Sequence, residues 1–370
     1  MFWLAAAVVM YAYFGYPAWL WLRSRWHPQP VHAAPCTPLV SIVMVVRNEA
    51  AVLDAKLRNL LGVNYPSELC EVVIVSDGST DGSDEILSVY QQNQRVRALV
   101  HPQPKGKASG VNAGVAAARG DIVLFTDARQ SLESDALRLL MENFADPAVG
   151  CASGELMLGD RDSGESAAGM GLYWQVEKLV RQLESKGGSV VGATGALYAV
   201  RRHLLSPLPT ETVLDDVYIP MQVVRQGFRV VLDERARAWD LADQGRELEF
   251  GRKVRTLGGN YQLLVLAPWL LSSQNPLRFE FISHKLLRLL VPLALAATLV
   301  SSALLPGPIY RGALALQLGF YGLSLIALLP WKMGPIGRLG DASLTFVVLN
   351  TAALVALANF VTGRKAAWGR

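Results

Sequence analysis

Acidic residues stand in this sequence at the positions where an apolar run gives way to a polar turn. Asp77 opens Asp77-Gly78-Ser79-Thr80-Asp81-Gly82, Asp127 opens Asp127-Ala128-Arg129, and Asp215-Asp216 follow Val213-Leu214. A carboxylate ahead of a Gly/Ser/Thr loop can accept a hydrogen bond from a nucleobase imide while the loop N–H groups approach ribose or phosphate. The plainer reading of Asp77 is an Asx turn. Pro104-Lys105-Gly106-Lys107, followed by Asn112-Ala113-Gly114, sets flexible backbone and two lysines at the start of a helix. Helix dipole and ammonium charge both favour a diphosphate there, although the spacing is not that of a P-loop. A hard cation such as Mg2+ or Mn2+ is held by one or two carboxylates plus substrate phosphates. Asp127 supplies one such carboxylate, and a cation, Arg129, comes two positions later. Of the adjacent acids Asp215 and Asp216 at a helix start, one can cap the helix and the other act as a general base. Asp160-Arg161-Asp162 has the composition of a metal pair but sits in a Gly/Ser-bearing polar stretch and reads as a solvated loop.

These residues need elements to hold them. Leu39–Val46 is a β-branched apolar run closed by Arg47-Asn48-Glu49, which predicts a buried strand. Ala50–Leu61 carries Val52, Leu53, Leu57, Leu60 and Leu61 at helical spacing. Strands follow over Glu71–Ser76, Val96–His101 and Asp121–Thr126, with helices over Ser83–Tyr90 and Lys107–Arg119 between them. Such alternation predicts an α/β domain with a mostly parallel sheet and helices on both faces. Ligands bind such sheets outside the carboxyl ends of the strands, where Asn48, Glu49, Asp77 and Asp127 all fall.

Composition places this domain beside a membrane. Of 370 residues 51% are hydrophobic and 18% charged, below the roughly 25% charged of soluble domains. Met1–Leu22 has no charged side chain, Leu289–Trp331 has only Arg311, and Ala342–Thr362 has none. A span needs about 20 apolar residues. The expectation is an anchor over 1–22, a cytosolic domain over 38–240, an interfacial helix region over 241–284, three spans within 285–362 and a basic tail over 363–370. The spans are Leu286–Leu305, Gly312–Leu329 and Ala342–Val361. Arg23, Arg25 and His27 follow the first apolar run, opposite to a cleaved signal peptide, and positive-inside bias places the domain in the cytosol of an inner membrane. Four spans put the tail with Arg364, Lys365 and Arg370 on the far side, so either one segment is re-entrant or the tail is an exception. Phe250–Leu271, basic at its start and Trp-bearing at its end, suits a helix in contact with headgroups; its alternative is a core helix. A net charge of +4 is too slight for a nucleic-acid partner. Cys36, Cys70 and Cys151, without C-x-x-C spacing, read as reduced structural thiols.

Taken together, Val40-Ser41-Ile42-Val43, Arg47-Asn48-Glu49, Val75–Asp81, Gly106-Lys107, Asp121–Asp127 and Asp215-Asp216 resemble the family 2 glycosyltransferases, in particular the cellulose-synthase-like membrane group. The resemblance covers about Pro38–Gln262 and implies a GT-A-type fold, a nucleotide-diphospho-sugar donor (a UDP-sugar favoured) and inversion at the anomeric carbon. It implies that Glu49 and Asp77 bind the nucleoside, that Lys107 lies near the donor, that Asp127 is the first acid of the metal motif and that Asp216 is the base. Arg129 replaces the motif's second acid. Where processive members carry Gln-x-x-Arg-Trp, this chain has Arg252-Lys253-Val254-Arg255-Thr256 and so lacks a stacking Trp. Arg252 and Arg255 are candidates for the diphosphate or for headgroups. Gly192-Ala193-Thr194-Gly195-Ala196 would admit an acceptor or serve as a tight turn, while Tyr173, Trp174 and Trp239 could stack sugar, although Tyr173-Trp174 sits in an amphipathic helix and reads as core. The expected acceptor is a lipid-linked glycan or growing polysaccharide at the membrane lipids. The rival readings are transfer of a single sugar to polyprenyl phosphate and a catalytically silent scaffold.

Overall fold

The computed structural model describes residues 1–159, 172–240, 246–328 and 334–364; Asp160–Asp162 lie outside them. Eight strands form one sheet: β1 (Val40–Val46), β2 (Cys70–Asp77), β3 (Val96–His101), β4 (Ile122–Phe125), β5 (Ser131–Leu132), β6 (Val149–Leu158), β7 (Tyr198–Arg201) and β8 (Arg229–Asp240). Their order is β3-β2-β1-β4-β7-β6-β8-β5. The first four run parallel, β7 is antiparallel to β4 and β6, β6 and β8 are parallel, and β5 closes the edge antiparallel to β8.

Every residue of β1 is buried, so alternate side chains feed two cores, as a strand covered on both faces requires. Ile42, Met44 and Val46 face Leu53, Leu57 and Leu60 of α1 (Ala50–Leu61), Leu87 of α2 (Ser83–Tyr90), and the apolar side of a later helix (Ala136–Glu142). Val43 and Val45 face Ala108 and Val111 of α3 (Lys107–Ala117) and a second cluster of helices beyond it. A Cβ on Gly114 would lie 2.5 Å from Val43 Cγ1, so only glycine lets α3 lie this close to β1. That closeness fixes where the head of α3 projects.

Three further helices frame the domain: α4 (Leu172–Lys186), α5 (Asp215–Arg225) and α6 (Arg246–Leu266). The sequence reading carried the last of these to Leu271; Pro268 instead starts a separate 3-10 turn over Pro268–Leu271. The C-terminal half of α6 docks on the segment leading into Asp215. Gln262 accepts from Val213 N at 3.0 Å and donates to Glu211 O at 2.7 Å. Its other side meets the last helix, where Tyr261 stacks on Phe360 at 5.7 Å between centroids.

Among the described residues four helices are long and apolar enough to cross a membrane: Phe2–Trp26, Arg278–Leu304, Pro308–Ile326 and Gly337–Val361. The first and second outrun the apolar segments expected from sequence, because their polar ends are built into the protein. Tyr11 pairs with Ser283 at 2.9 Å, Tyr16 donates to Glu184 at 2.6 Å, and Arg23 pairs with Glu280. Hydropathy stops short of Arg23, Glu280 and Ser283, whereas the helices continue through them. The three cysteines are free, with Cys70 and Cys151 buried.

Candidate active site

The carboxyl ends of β1, β2 and β4 and the head of α5 meet on one side of the sheet. Asn48 adopts φ +55° at the end of β1, an αL conformation that Asn tolerates. Its side chain accepts from Thr80 N at 2.8 Å, and Glu49 N donates to Ser83 Oγ at 3.1 Å. The loops after β1 and β2 are thereby tied together.

Two of the expected donor residues are engaged by backbone. Asp77 is fully buried, and both its oxygens are taken by backbone, with Lys105 N on Oδ1 at 2.7 Å and Gly106 N on Oδ2 at 2.8 Å. His101 Nδ1 lies 3.2 Å from Oδ1 as well. These bonds tie Asp77 to the turn that starts α3, so it helps hold Lys107 in place. Asn112 likewise exchanges two 2.8 Å hydrogen bonds with the backbone of Leu208 and clasps a neighbouring loop.

Lys107 is the centre of the site. Its Nζ lies 3.1 Å from Asp127 Oδ1 and 3.2 Å from Asp215 Oδ1. Burial pulls its pKa down, but Asp127, Asp215 and Asp216 outweigh that and raise it, so the ammonium is permanent. The cavity lined by Lys107, Thr126, Asp127, Gly195 and Asp215 measures only about 10 Å³. Asp215 is buried and also accepts from Tyr198 Oη at 3.4 Å. Asp216 is half-buried. Burial, then the neighbouring Asp215 charge, raises its pKa to about 6, against the opposing pull of Lys107. A carboxylate so tuned takes a proton more readily than an ordinary Asp and is still ionised at neutral pH. The rate of a reaction using it as base should therefore fall about tenfold per pH unit below pH 6. A kcat profile flat down to pH 4.5 would contradict that assignment.

The Gly192–Ala196 segment packs against the acid pair. Ala193 N donates to Asp216 O at 2.7 Å, and a Cβ on Gly195 would sit 3.2 Å from Asp216 Oδ2. Gly195→Ala is expected to displace the carboxylate and lower kcat by about 10- to 100-fold with the thermal melt unchanged. Steady-state rates alongside a melting curve test this.

Arg129 does not point into the centre; it pairs with Glu49 at 2.9 Å. The ion pair occupies two residues that sequence assigned to the donor. Arg252 is exposed and Arg255 half-buried on α6, and neither makes an ion pair among the described residues. Trp239 is buried and donates to Glu133 at 2.8 Å, as core rather than platform; the Tyr173 side chain lies outside the described residues. Sequence reasoning missed Lys56. It is buried, donating to Thr126 Oγ1 at 2.9 Å and Gln130 O at 2.5 Å beneath the Asp127 loop. Burial lowers its pKa to about 7, with Asp127 opposing. The available signal was a lysine among Leu53, Leu57 and Leu60 on the apolar face of α1.

A parallel half-sheet ending in a lysine-bridged acid cluster, joined to a mixed half flanked by the helix that carries a tuned Asp, defines a fold of the GT-A type. Residues 41–208 match the model of Glycosyl transferase family 2. The chain is 21% identical over 230 residues to the poly-beta-1,6-N-acetyl-D-glucosamine synthase of Staphylococcus aureus, covering 61% of this chain and 55% of that protein. The Staphylococcus epidermidis protein of the same name matches at 21% over 62% of this chain and 56% of its own length. The chain thus spans about half the length of the curated relatives it matches. Among solved structures, the mannosyltransferase PcManGT from Pyrobaculum calidifontis, in complex with GDP-Man and Mn2+, superposes with a TM-score of 0.74. It is 23% identical, with 98% of this chain and 99% of that one covered, so the fold extends to the helices outside the sheet.

Proposed function

We propose that the chain is a membrane-bound inverting glycosyltransferase that moves a hexosyl group from a nucleotide-diphospho-sugar to a hydroxyl of a lipid-linked glycan or growing polysaccharide. The observation that carries this reading is the convergence of Asp127 and Asp215 on Lys107 at one small cavity, with Asp216 beside them and in electrostatic reach of all three. Asp216 takes the proton of the acceptor hydroxyl, whose oxygen attacks the anomeric carbon from the face opposite the diphosphate. The C–O bond to the diphosphate breaks, and Lys107 shifts its charge from the two aspartates to the departing phosphate oxygens. Charge placed in advance where it develops is the larger contribution in such reactions.

A divalent cation suits the half-exposed Asp127 only in part. Asp127 offers one carboxylate, Lys107 faces its Oδ1, and no three His, Cys, Asp or Glu side chains among the described residues are placed to hold a metal ion together. The donor diphosphate would complete the ligand set, and Mg2+ or Mn2+ bound there would add Lewis-acid neutralisation to that of Lys107. Chelation is therefore expected to slow turnover without abolishing it; full turnover in excess chelator would remove the metal. The related proteins' names differ in their sugar, so the reading stops at a hexose, with a UDP-linked donor favoured. The cytosolic face of an inner membrane, where such donors occur, suits the basic residues Arg23 and Arg25 that end the first span. Incubating the protein in lipid with a panel of sugar nucleotides and measuring released nucleoside diphosphate tests the whole reading. Absence of release from every donor would overturn it.

A further inference from the structure

Helix α4 carries Glu177, Arg181 and Glu184 at the i, i+4 and i+7 positions of a single face. Both outer residues are tied to the helix Arg278–Leu304. His284 Nε2 lies 2.8 Å from Glu177 Oε1, and His284 Nδ1 lies 2.7 Å from Glu184 Oε1. Arg288 pairs with Glu177, and Glu184 also accepts from Val191 N at 3.1 Å. The turn between them is therefore held at both ends.

Arg181, in the middle, reaches the other way. Its Nη1 donates to Thr194 Oγ1 at 2.7 Å and its Nη2 to Ser153 Oγ at 3.0 Å. Thr194 N in turn donates to the same Ser153 Oγ at 2.9 Å. Thr194 lies between Ala193, whose N–H holds the backbone of Asp216, and Gly195, whose missing side chain makes room for the Asp216 carboxylate. A guanidinium, with five donors in a rigid fork, fixes a loop through two hydroxyls in a way a lysine cannot.

We propose that Arg181 is a positioning residue for Asp216, setting the Ala193–Gly195 segment against which that carboxylate rests. The inference deepens the base assignment above and rests on it. Arg181 acts through geometry and through charge, since its guanidinium interacts with Asp216 as well as with Glu177, Glu184 and Glu155. The other charges facing Asp216 are Asp215 on its own helix, Lys107 and Asp127 across the cavity, and Lys285 from the helix Arg278–Leu304. Removing Arg181 takes away one attractive partner of the Asp216 anion, so the base would hold its proton to higher pH.

The test is a double-mutant cycle of Arg181→Met and Thr194→Val on the full chain in lipid, with Arg181→Lys as the conservative variant. Arg181→Met is expected to lower kcat by about 10- to 100-fold, leave the donor KM unchanged and move the acid limb of the kcat profile upward. Thr194→Val keeps the charge, so it should lower kcat without moving that limb. Removing both should cost less than the product of the single losses, because the two share a contact. Arg181→Lys should restore the position of the limb. Strictly multiplicative losses, or an acid limb unmoved in Arg181→Met, would overturn the proposal. If Arg181→Met does not fold, Thr194→Val decides alone: parental kcat overturns it. The Asp216→Asn variant separates the two levels, since turnover there sinks the base assignment, whereas a dead Asp216→Asn beside a multiplicative cycle sinks only the positioning role.

Discussion

Asp216→Asn is expected to abolish sugar transfer while leaving nucleotide binding intact. The amide keeps the shape and the burial of the side chain but cannot accept the acceptor's proton, so the loss should be on the order of 10²–10⁴-fold in kcat. Donor affinity should hold, because in the proposed reading the diphosphate meets Lys107 and the head of α3, whose contacts with Asp127 and Asp215 the change leaves in place. Removing one negative charge beside Asp215 should even strengthen donor binding slightly. Titration calorimetry with a nucleoside diphosphate, run beside a transfer assay, separates the two effects. Near-parental turnover in this variant would place the base elsewhere, with Asp215 the next acid to examine.

Lys107→Met should produce a loss of comparable size through a different route. Three carboxylates surround this ammonium, and two are within 3.2 Å of it. Without it, the leaving diphosphate loses its fixed counter-charge, a change worth about 10²–10³-fold in kcat where single preorganised groups have been removed. The donor KM should rise as well, in contrast to Asp216→Asn. The acid limb of the kcat profile should move to higher pH, because Lys107 holds the Asp216 pKa below where burial and Asp215 would place it. If kcat and donor KM both stay near the parent's, the diphosphate does not meet Lys107.

Local patterns announced much of the sheet's parallel half. The bounds Ala50–Leu61, Ser83–Tyr90 and Val96–His101 expected from sequence are those observed, since apolar period, β-branched runs and punctuating glycines act over a few residues. The helix after Lys107 ends at Ala117, short of Arg119, because Ala118 turns to extended backbone at ψ 136°. Pairing in the antiparallel half was not legible, as a period of two gives a strand's faces but names no neighbour. β7 inserts between β4 and β6 although it follows both in the chain.

The site shows the same division. The position of each acid at a strand or helix end could be read locally. Which of them face outward could not, because that depends on donors far along the chain. Asp77 turns inward because Lys105 N and Gly106 N reach back to it, and Glu49 is claimed by Arg129. Lys56 and Arg181 act through Thr126 and Thr194, residues whose own sequence context is unremarkable.

The polar ends of the first helix bear on how the chain is made. Tyr16 waits for Glu184, 168 positions later, and Tyr11 for Ser283, 272 positions later. During synthesis, at about 5–20 residues per second, the nascent amino-terminal segment spends many seconds with phenolic hydroxyls and Arg23 lacking their final companions. Chains stopped before Glu184 should therefore lack all three pairings, and chains stopped between Glu184 and Glu280 should lack those of Tyr11 and Arg23. The first helix is thus joined to the sheet domain and its neighbouring helix only once Glu184, Glu280 and Ser283 have all been made.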